Sequence, residues 1–216
     1  MKISDRLKTV AAFIKDNANV ADVGADHGLL EIYLLDNHKV NSIMAIENKD
    51  GPFQILRNNL KDYNVKLSLS DGLQDIDENV DTVVIAGMGG VLISDILKRD
   101  FKKLNNVKQI VVDAHRDIEL VRKEVTKLGY YIEKEKIVFE NKQYYFVISF
   151  LKGHKDYPLE VYEWGYKIKD DPLFKKYQQA ELETLETNLT KYCQGKNVDQ
   201  EVIKDKTDKI RRLANL

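Results

Sequence analysis

Cysteine is almost missing from this chain: Cys193 stands alone among 216 residues. One cysteine excludes an intrachain disulfide framework and a cysteine-rich zinc site, and it fits a reducing compartment. Proline is scarce too, at three residues, while apolar residues make up 43% and charged residues 32%. That balance excludes a disordered or low-complexity chain. No apolar run approaches the length of a bilayer span. Ile3, Leu7, Val10 and Ile14 alternate with Asp5, Arg6, Lys8 and Lys15 as an amphipathic helix does, unlike the apolar core of a signal peptide. The expectation is a cytoplasmic protein with no membrane partner and no metal. An excess of either charge is also missing, since the net charge is −1. Any polyanionic partner must therefore be held by a local patch. Residues 154–216 balance 12 Lys/Arg against 12 Asp/Glu, so they form no basic arm.

What is present is an alternation of apolar β-type runs with helical patterns, the order of an α/β fold. Strands are expected near 19–24, 42–47, 65–69, 81–86 and 108–113, and helices near 27–37, 51–62, 90–103 and 116–128. The continuous runs Val83–Ala86 and Ile110–Val112 suit central strands covered on both faces. Val65, Leu67 and Leu69 alternate with Lys66 and Ser68, as an edge strand does. Tyr130–Phe139 and Gln143–Leu151, joined by Glu140, Asn141 and Lys142, read as an antiparallel hairpin. The expected core is a Rossmann-like sheet of five parallel strands plus that terminal hairpin, spanning residues 1–153. In residues 154–216 the stripe Leu182, Leu185, Leu189 and Tyr192, a break at Gln194–Asn197, and then Ile203, Ile210 and Leu213 describe a helical hairpin. It serves either as a packing or dimerisation element or as a substrate-docking arm.

Ligands bind such sheets at the carboxyl ends of the strands. The first strand ends in Asp22-Val23-Gly24-Ala25-Asp26-His27-Gly28. A dinucleotide site would place a second glycine where Asp26 stands, so that backbone amides face pyrophosphate. A carboxylate repels pyrophosphate but attracts the ammonium and sulfonium of S-adenosylmethionine. Glu47 closes the second strand, where its two oxygens match the vicinal hydroxyls of a ribose. After the third strand come Ser70, Asp71, Gly72 and Leu73, which form either an adenine-binding turn, with the Asp71 side chain and Leu73 amide as contacts, or an ordinary Asp-Gly turn. Ala86-Gly87-Met88-Gly89-Gly90 follows the fourth strand, and its glycines permit close backbone approach to a substrate.

Together these motifs, with Gly51-Pro52 after Glu47, resemble the tRNA adenine-22 N1-methyltransferase family. The resemblance runs from Arg6-Leu7 to Tyr144-Tyr145. It implies a class I methyltransferase core, S-adenosylmethionine as cofactor, tRNA as substrate and a C-terminal helical hairpin. The cofactor residues it implies are Arg6, Asp22, Gly24, Ala25, Asp26, His27, Glu47, Asp71, Gly72, Leu73, Ala86 and Gly87. Gly87 and Met88 form the substrate-positioning loop, and no general base is assigned. Two departures stand out: Asp113-Ala114-His115 replaces the family's Gln-Pro, and Gly28-Leu29-Leu30-Glu31 replaces Ala-Tyr-Leu-Pro. Arg6 either reaches the cofactor's carboxylate or lies on a solvated helix face. Candidate phosphate contacts are Lys98, Arg99, Lys102, Lys103, Arg116, Arg122, Lys123 and Lys127, with Lys209, Arg211 and Arg212 in the tail. The rival readings are a methyltransferase with another substrate and a nonenzymatic RNA-binding protein that kept the fold.

Overall fold

The structure is a computed structural model that describes residues 3–195 and 197–216. The chain forms two compact units, Met1–Asp156 and Tyr157–Leu216. The first holds a seven-stranded sheet in the order β3-β2-β1-β4-β5-β7-β6. Its strands are β1 (Ala18–Val23), β2 (Val40–Glu47), β3 (Lys66–Leu69), β4 (Thr82–Met88), β5 (Gln109–Ala114), β6 (Tyr130–Glu140) and β7 (Gln143–Lys152). The first five pair in parallel, and β7 runs antiparallel to both β5 and β6. The sheet reverses direction of winding between β1 and β4, which is where open α/β sheets form a crevice.

The sequence pattern explains this order. Val83, Val84, Ile85, Ile110, Val111 and Val112 are all fully buried, as continuous apolar runs in central strands should be. Edge strand β3 has no buried residue: Leu67 and Ser68 are partly buried, while Lys66 and Leu69 are exposed, so the expected alternation holds only in part. The hairpin closes through a two-residue turn, Asn141 and Lys142, both at positive φ, with Glu140 paired to Gln143. That left-handed pair matches the twist of the two strands.

The helices of this unit are α1 (Asp5–Phe13), α2 (Leu29–Asp36), α3 (Asp50–Asn59), α4 (Gly90–Arg99) and α5 (Ile118–Lys127). Ser4 caps α1 by accepting the Leu7 amide at 3.2 Å. Helix α1 packs across β5, β7 and β6, which carries its first turn toward the carboxyl end of β5. Helix α2 starts two residues later than expected because Asp26 and Gly28 take left-handed backbone in the preceding turn. Helix α4 ends at Arg99 and not at residue 103; a 3-10 turn, Phe101–Leu104, follows. The Asp100 carboxylate at that joint accepts the distant Leu73 amide at 2.8 Å.

The second unit contains α6 (Leu159–Trp164), α7 (Phe174–Cys193) and α8 (Gln200–Ala214), with α7 and α8 in mutual contact. The expected stripe residues of α7 are half-buried. Of the expected break, Lys196 lies outside the described residues. Sequence periodicity missed α6 and the small core formed by Trp164, Ile168, Phe174, Tyr177 and Leu213. Arg212 belongs to that unit's own packing, since its guanidinium meets Glu163 through two hydrogen bonds of 2.8 and 2.6 Å. Lys209 sits over the Trp164 ring at 5.3 Å.

Candidate functional site

Strand ends and the turns after them enclose a cavity of about 570 Å³ in the first unit. A volume of that order suits one drug-sized ligand. Its wall includes Asp22, Gly24, Ala25, Asp26 and His27 after β1, Glu47 after β2, Asp71 and Gly72 after β3, Ala86, Gly87 and Met88 at β4, and Arg6 from α1. Every residue expected at the cofactor site lines this cavity except Leu73. Leu73 is fully buried, and its amide is taken by Asp100. The Leu73 amide is thus satisfied inside the protein, and Leu73 does not line the cavity.

The β4 loop shows why its sequence is so rich in glycine. Ala86 pairs with Asp113 and Met88 with Ala114, so Gly87 is an extra residue, at φ 85°. Such a bulge re-aims the next side chain, here Met88, toward the cavity. At Gly90 a side chain is excluded outright: a Cβ would fall 2.5 Å from the Asp117 carbonyl oxygen. The Gly90 amide instead donates to the Arg116 carbonyl at 2.9 Å, tying the start of α4 to the turn before α5.

The cavity is electronegative. Asp22, Asp26, Glu47 and Asp71 line it, against Arg6 and Lys49. Arg6 is largely spoken for: it forms an ion pair with buried Asp113, lies 3.6 Å from Glu140 and stacks at 5.1 Å over Tyr145. The position at the end of β5 that departs from the family pattern is thus occupied by the partner of Arg6. Burial raises the Asp113 carboxyl above its ordinary range even though Arg6 and His115 oppose the shift. His115 is exposed on the cavity wall, edge-on to Tyr145 at 5.4 Å, and it precedes α5 by three residues, so it does not cap that helix. Tyr144 faces away and packs against Phe139.

Glu47 is buried, and its Oε1 accepts the amides of Asn48 at 3.0 Å and Lys49 at 3.1 Å. Those bonds fix the side chain and leave Oε2 without a protein partner among the described residues. Asp71 forms an ion pair with Arg99 at 2.6 Å, which constrains its turn. Asp22 is buried beside Glu31 of α2, a residue that sequence reasoning did not select. Burial pushes the Asp22 carboxyl up to about 7, although its interaction with Glu31 opposes the rise. Glu31 is raised well above the usual carboxylate range by burial and then by the charge of Asp22.

Comparison with known proteins fits this geometry. Residues 3–148 match the family described as a methyltransferase domain. The tRNA (adenine(22)-N(1))-methyltransferase of Bacillus subtilis (strain 168) is 33% identical over 162 residues, covering 72% of this chain and 68% of that protein. The chain belongs to this methyltransferase family. Among solved structures, Streptococcus pneumoniae Sp1610 in complex with S-adenosyl-L-methionine is 29% identical, with a TM-score of 0.89 over 99% of both chains. M. capricolum TrmK in complex with S-adenosyl-homocysteine is 25% identical, with a TM-score of 0.85 over 100% of this chain and 97% of that one. The relationship therefore extends through the C-terminal helices and beyond the methyltransferase core.

The candidate phosphate-contacting residues fare unevenly. Arg122 is removed from the set, because its side chain is 1% exposed and forms an ion pair with Glu135 at 2.5 Å. Lys98 and Lys127 both reach Glu124, and Lys123 reaches Glu119. Lys102 and Lys103 are exposed on the turn after α4, and Arg116 is 81% exposed with Asp117 at 3.8 Å. No cluster of three or more potential ligands for a metal ion occurs among the described residues. No helix among them is long and apolar enough to cross a membrane.

Proposed function

We propose that this protein transfers the methyl group of S-adenosylmethionine to N1 of adenine 22 in tRNA, with residues 1–153 as the catalytic domain and residues 154–216 as a helical docking element. The observation that carries the reading is a cavity at the strand ends lined by four carboxylates, in a chain of this family. Its residues suit a nucleoside with an ammonium group and no phosphate. Glu47 has a fixed carboxylate with one oxygen available for ribose hydroxyls, and Asp22 offers a carboxylate for the ammonium group. In the turn after β1 the Gly24 and Ala25 amides donate to the Ile46 carbonyl and the Gly28 amide to the Ala25 carbonyl, whereas a pyrophosphate loop would leave such amides free.

When bound, S-adenosylmethionine supplies the electrophilic methyl group. Adenine N1 already has an in-plane lone pair, so the protein's task is to align that atom and exclude water. The bulge at Gly87 brings backbone and the Met88 side chain to the cavity wall, where they can pack against a purine. Carbonyl groups there ease positive charge developing on the ring. The Met88 carbonyl already accepts the His115 amide at 2.9 Å, which fixes its direction and leaves one lone pair for the base. No residue is required to remove a proton before transfer, because loss from N6 to water can follow.

Calorimetry with S-adenosylmethionine and NAD is expected to give measurable binding for the first only. Tighter binding of NAD would refute the cofactor reading. Primer extension on tRNA from cells with and without the gene should then stop at position 22 only where the protein is present, because a methyl on N1 blocks base pairing. Glu47→Ala should weaken S-adenosylmethionine binding by about 1.5–3 kcal/mol, the usual size of hydrogen bonds to a charged group. Unchanged affinity in the same titration would reduce Glu47 to a turn-forming residue.

A further inference from the structure

Glu31 is the least expected charge in the first unit. It occupies the third position of α2, is 0% exposed, and neither carboxyl oxygen has a hydrogen-bond donor among the described residues. The charge that acts on it is that of Asp22, which is 5% exposed and lines the cavity. Two carboxylates that meet away from water cannot both ionise, and one shared proton turns a repulsion into a hydrogen bond. The family resemblance implies proline where Glu31 stands, so this pair is a departure of this chain from that pattern. An ordinary role for an acidic residue in a first helical turn is to face the helix dipole from solvent. Complete burial against a second acid is not that arrangement.

The surrounding charges do not relieve the pair. Arg6 of α1 is committed to Asp113 and Glu140. Asp26 and His27 of the turn are more than half exposed and lie 3.7 Å from each other. Glu47 of β2 is held by backbone amides, and β4 contributes only Ala86, Gly87 and Met88 to this wall. Asp113 of β5 and His115 just after it face Arg6. Lys49 and Asp71 line the cavity from beyond β2 and β3. Among the described residues, the one charged side chain that acts on either carboxyl is the other.

We propose that Glu31 is a positioning residue for the cofactor site: its protonated carboxyl donates a hydrogen bond to Asp22, and capture of a ligand ammonium group at Asp22 is coupled to proton release. This rests on the S-adenosylmethionine reading. Where Asp22 is protonated in the free protein, binding breaks its O–H bond, the proton passes to water, and the carboxylate pairs with the ammonium group. Glu31 keeps its own proton throughout. The sign follows from a carboxyl pushed up to about 7: affinity is low below that pH and rises toward it.

Calorimetry of the full chain with S-adenosylmethionine between pH 5.5 and 7.5 tests the coupling, below the range near 7.7–8.0 where an α-amino group loses its own proton. Affinity should rise by up to about tenfold per pH unit on the acid side and flatten through neutrality, as a single linked proton requires. At pH 6 the binding heat should vary with the ionisation enthalpy of the buffer as release of nearly one proton per ligand. Glu31→Gln retains a donor to Asp22 and should keep the wild-type pH profile. Glu31→Leu removes the donor, and should move the rise to higher pH and weaken binding at pH 7 by about tenfold for every pH unit that the rise moves. An affinity independent of pH in the wild type, or a Leu variant with the wild-type profile, would overturn the proposal. Carbon-13 carboxyl NMR of the free wild-type protein gives a second readout that needs no folded variant. Glu31 should stay protonated through pH 7 while Asp22 titrates, and an ordinary carboxylate titration at Glu31 would also overturn it. A protonated Glu31 with no S-adenosylmethionine binding at any pH would instead refute the cofactor reading and the coupling, leaving only the carboxyl pair.

Discussion

Glu135→Ala is expected to destabilise the protein by about 3–5 kcal/mol, because it strands the Arg122 guanidinium in the interior. Arg122 lies on α5 and Glu135 on β6, with side chains 1% and 0% exposed, and the guanidinium also sits 5.2 Å from the Phe146 ring. Breaking such a pair from one side removes the attraction while the desolvated charge stays in place. For a chain of this size each kcal/mol corresponds to roughly 2–4 °C, so the melting temperature should fall by about 10 °C or more. Replacing both residues together, Arg122→Met with Glu135→Leu, should recover much of that loss, since well-packed apolar residues can substitute for a buried ion pair. Urea unfolding of the three proteins checks both statements. A loss below about 1 kcal/mol in Glu135→Ala would match an exposed pair and contradict the burial of these two side chains.

The same pair illustrates what could be read from the sequence. Arg122 sits on a helix beside Lys123 and near Lys127, so by spacing alone it resembles one of several surface cations. Only the pairing of β6 with β7 and the packing of α5 on β6 reveal its burial, and both depend on contacts remote in sequence. The central strands were legible because a parallel strand covered on both faces needs a continuous apolar run, which Val83–Ala86 and Ile110–Val112 provide. Edge strand β3 was legible for the converse reason. The ends of α2 and α4 were not, because each is fixed by a local choice that periodicity does not record: left-handed backbone at Asp26 and Gly28, and capture of the Leu73 amide by Asp100.

The candidate cavity was legible to the extent that its residues follow strand ends. Asp22, Glu47, Asp71 and the Gly87–Met88 bulge share one rim because parallel strands all deliver their carboxyl ends to the same edge. Glu31 escaped, and Asp113 stood out only as a departure from the family pattern, because their meaning lies in pairing. A Glu within Leu-Leu-Glu-Ile-Tyr gives no sign that it meets Asp22, and Arg6 finds Asp113 and Glu140 more than 100 residues away. Trp164 and its neighbours escaped for another reason, since a six-residue helix is too short to show a period.

Ending the chain at Asp156 is expected to leave S-adenosylmethionine binding near the full-length level and to lower tRNA methylation by on the order of 10²-fold, the penalty of losing alignment at a reacting centre. Every residue proposed to hold the cofactor lies in the first compact unit, which also retains all seven strands. On the proposed docking role, what the truncated protein lacks is a means to fix register. The cations near α4 and α5 are mostly matched by Glu119, Glu124, Asp71 and Asp100, so that surface attracts tRNA weakly and orients it poorly. The second unit carries no net charge to add attraction, and Arg212 is engaged with Glu163. A docking role for this unit would therefore rest on the shape of α7 and α8 more than on charge. Reversing the exposed charge of Arg211, which pairs only with Asp208 on its own helix among the described residues, should therefore reduce methylation far less than deletion. Calorimetry establishes whether the truncated protein still binds cofactor, and a single-turnover assay on unmodified tRNA compares the rates. Methylation at the full-length rate by a folded, cofactor-binding truncation would remove the docking role and leave α7 and α8 as a packing element, whereas loss of activity restored by adding the helices back in one chain would tie alignment of adenine N1 to their surface.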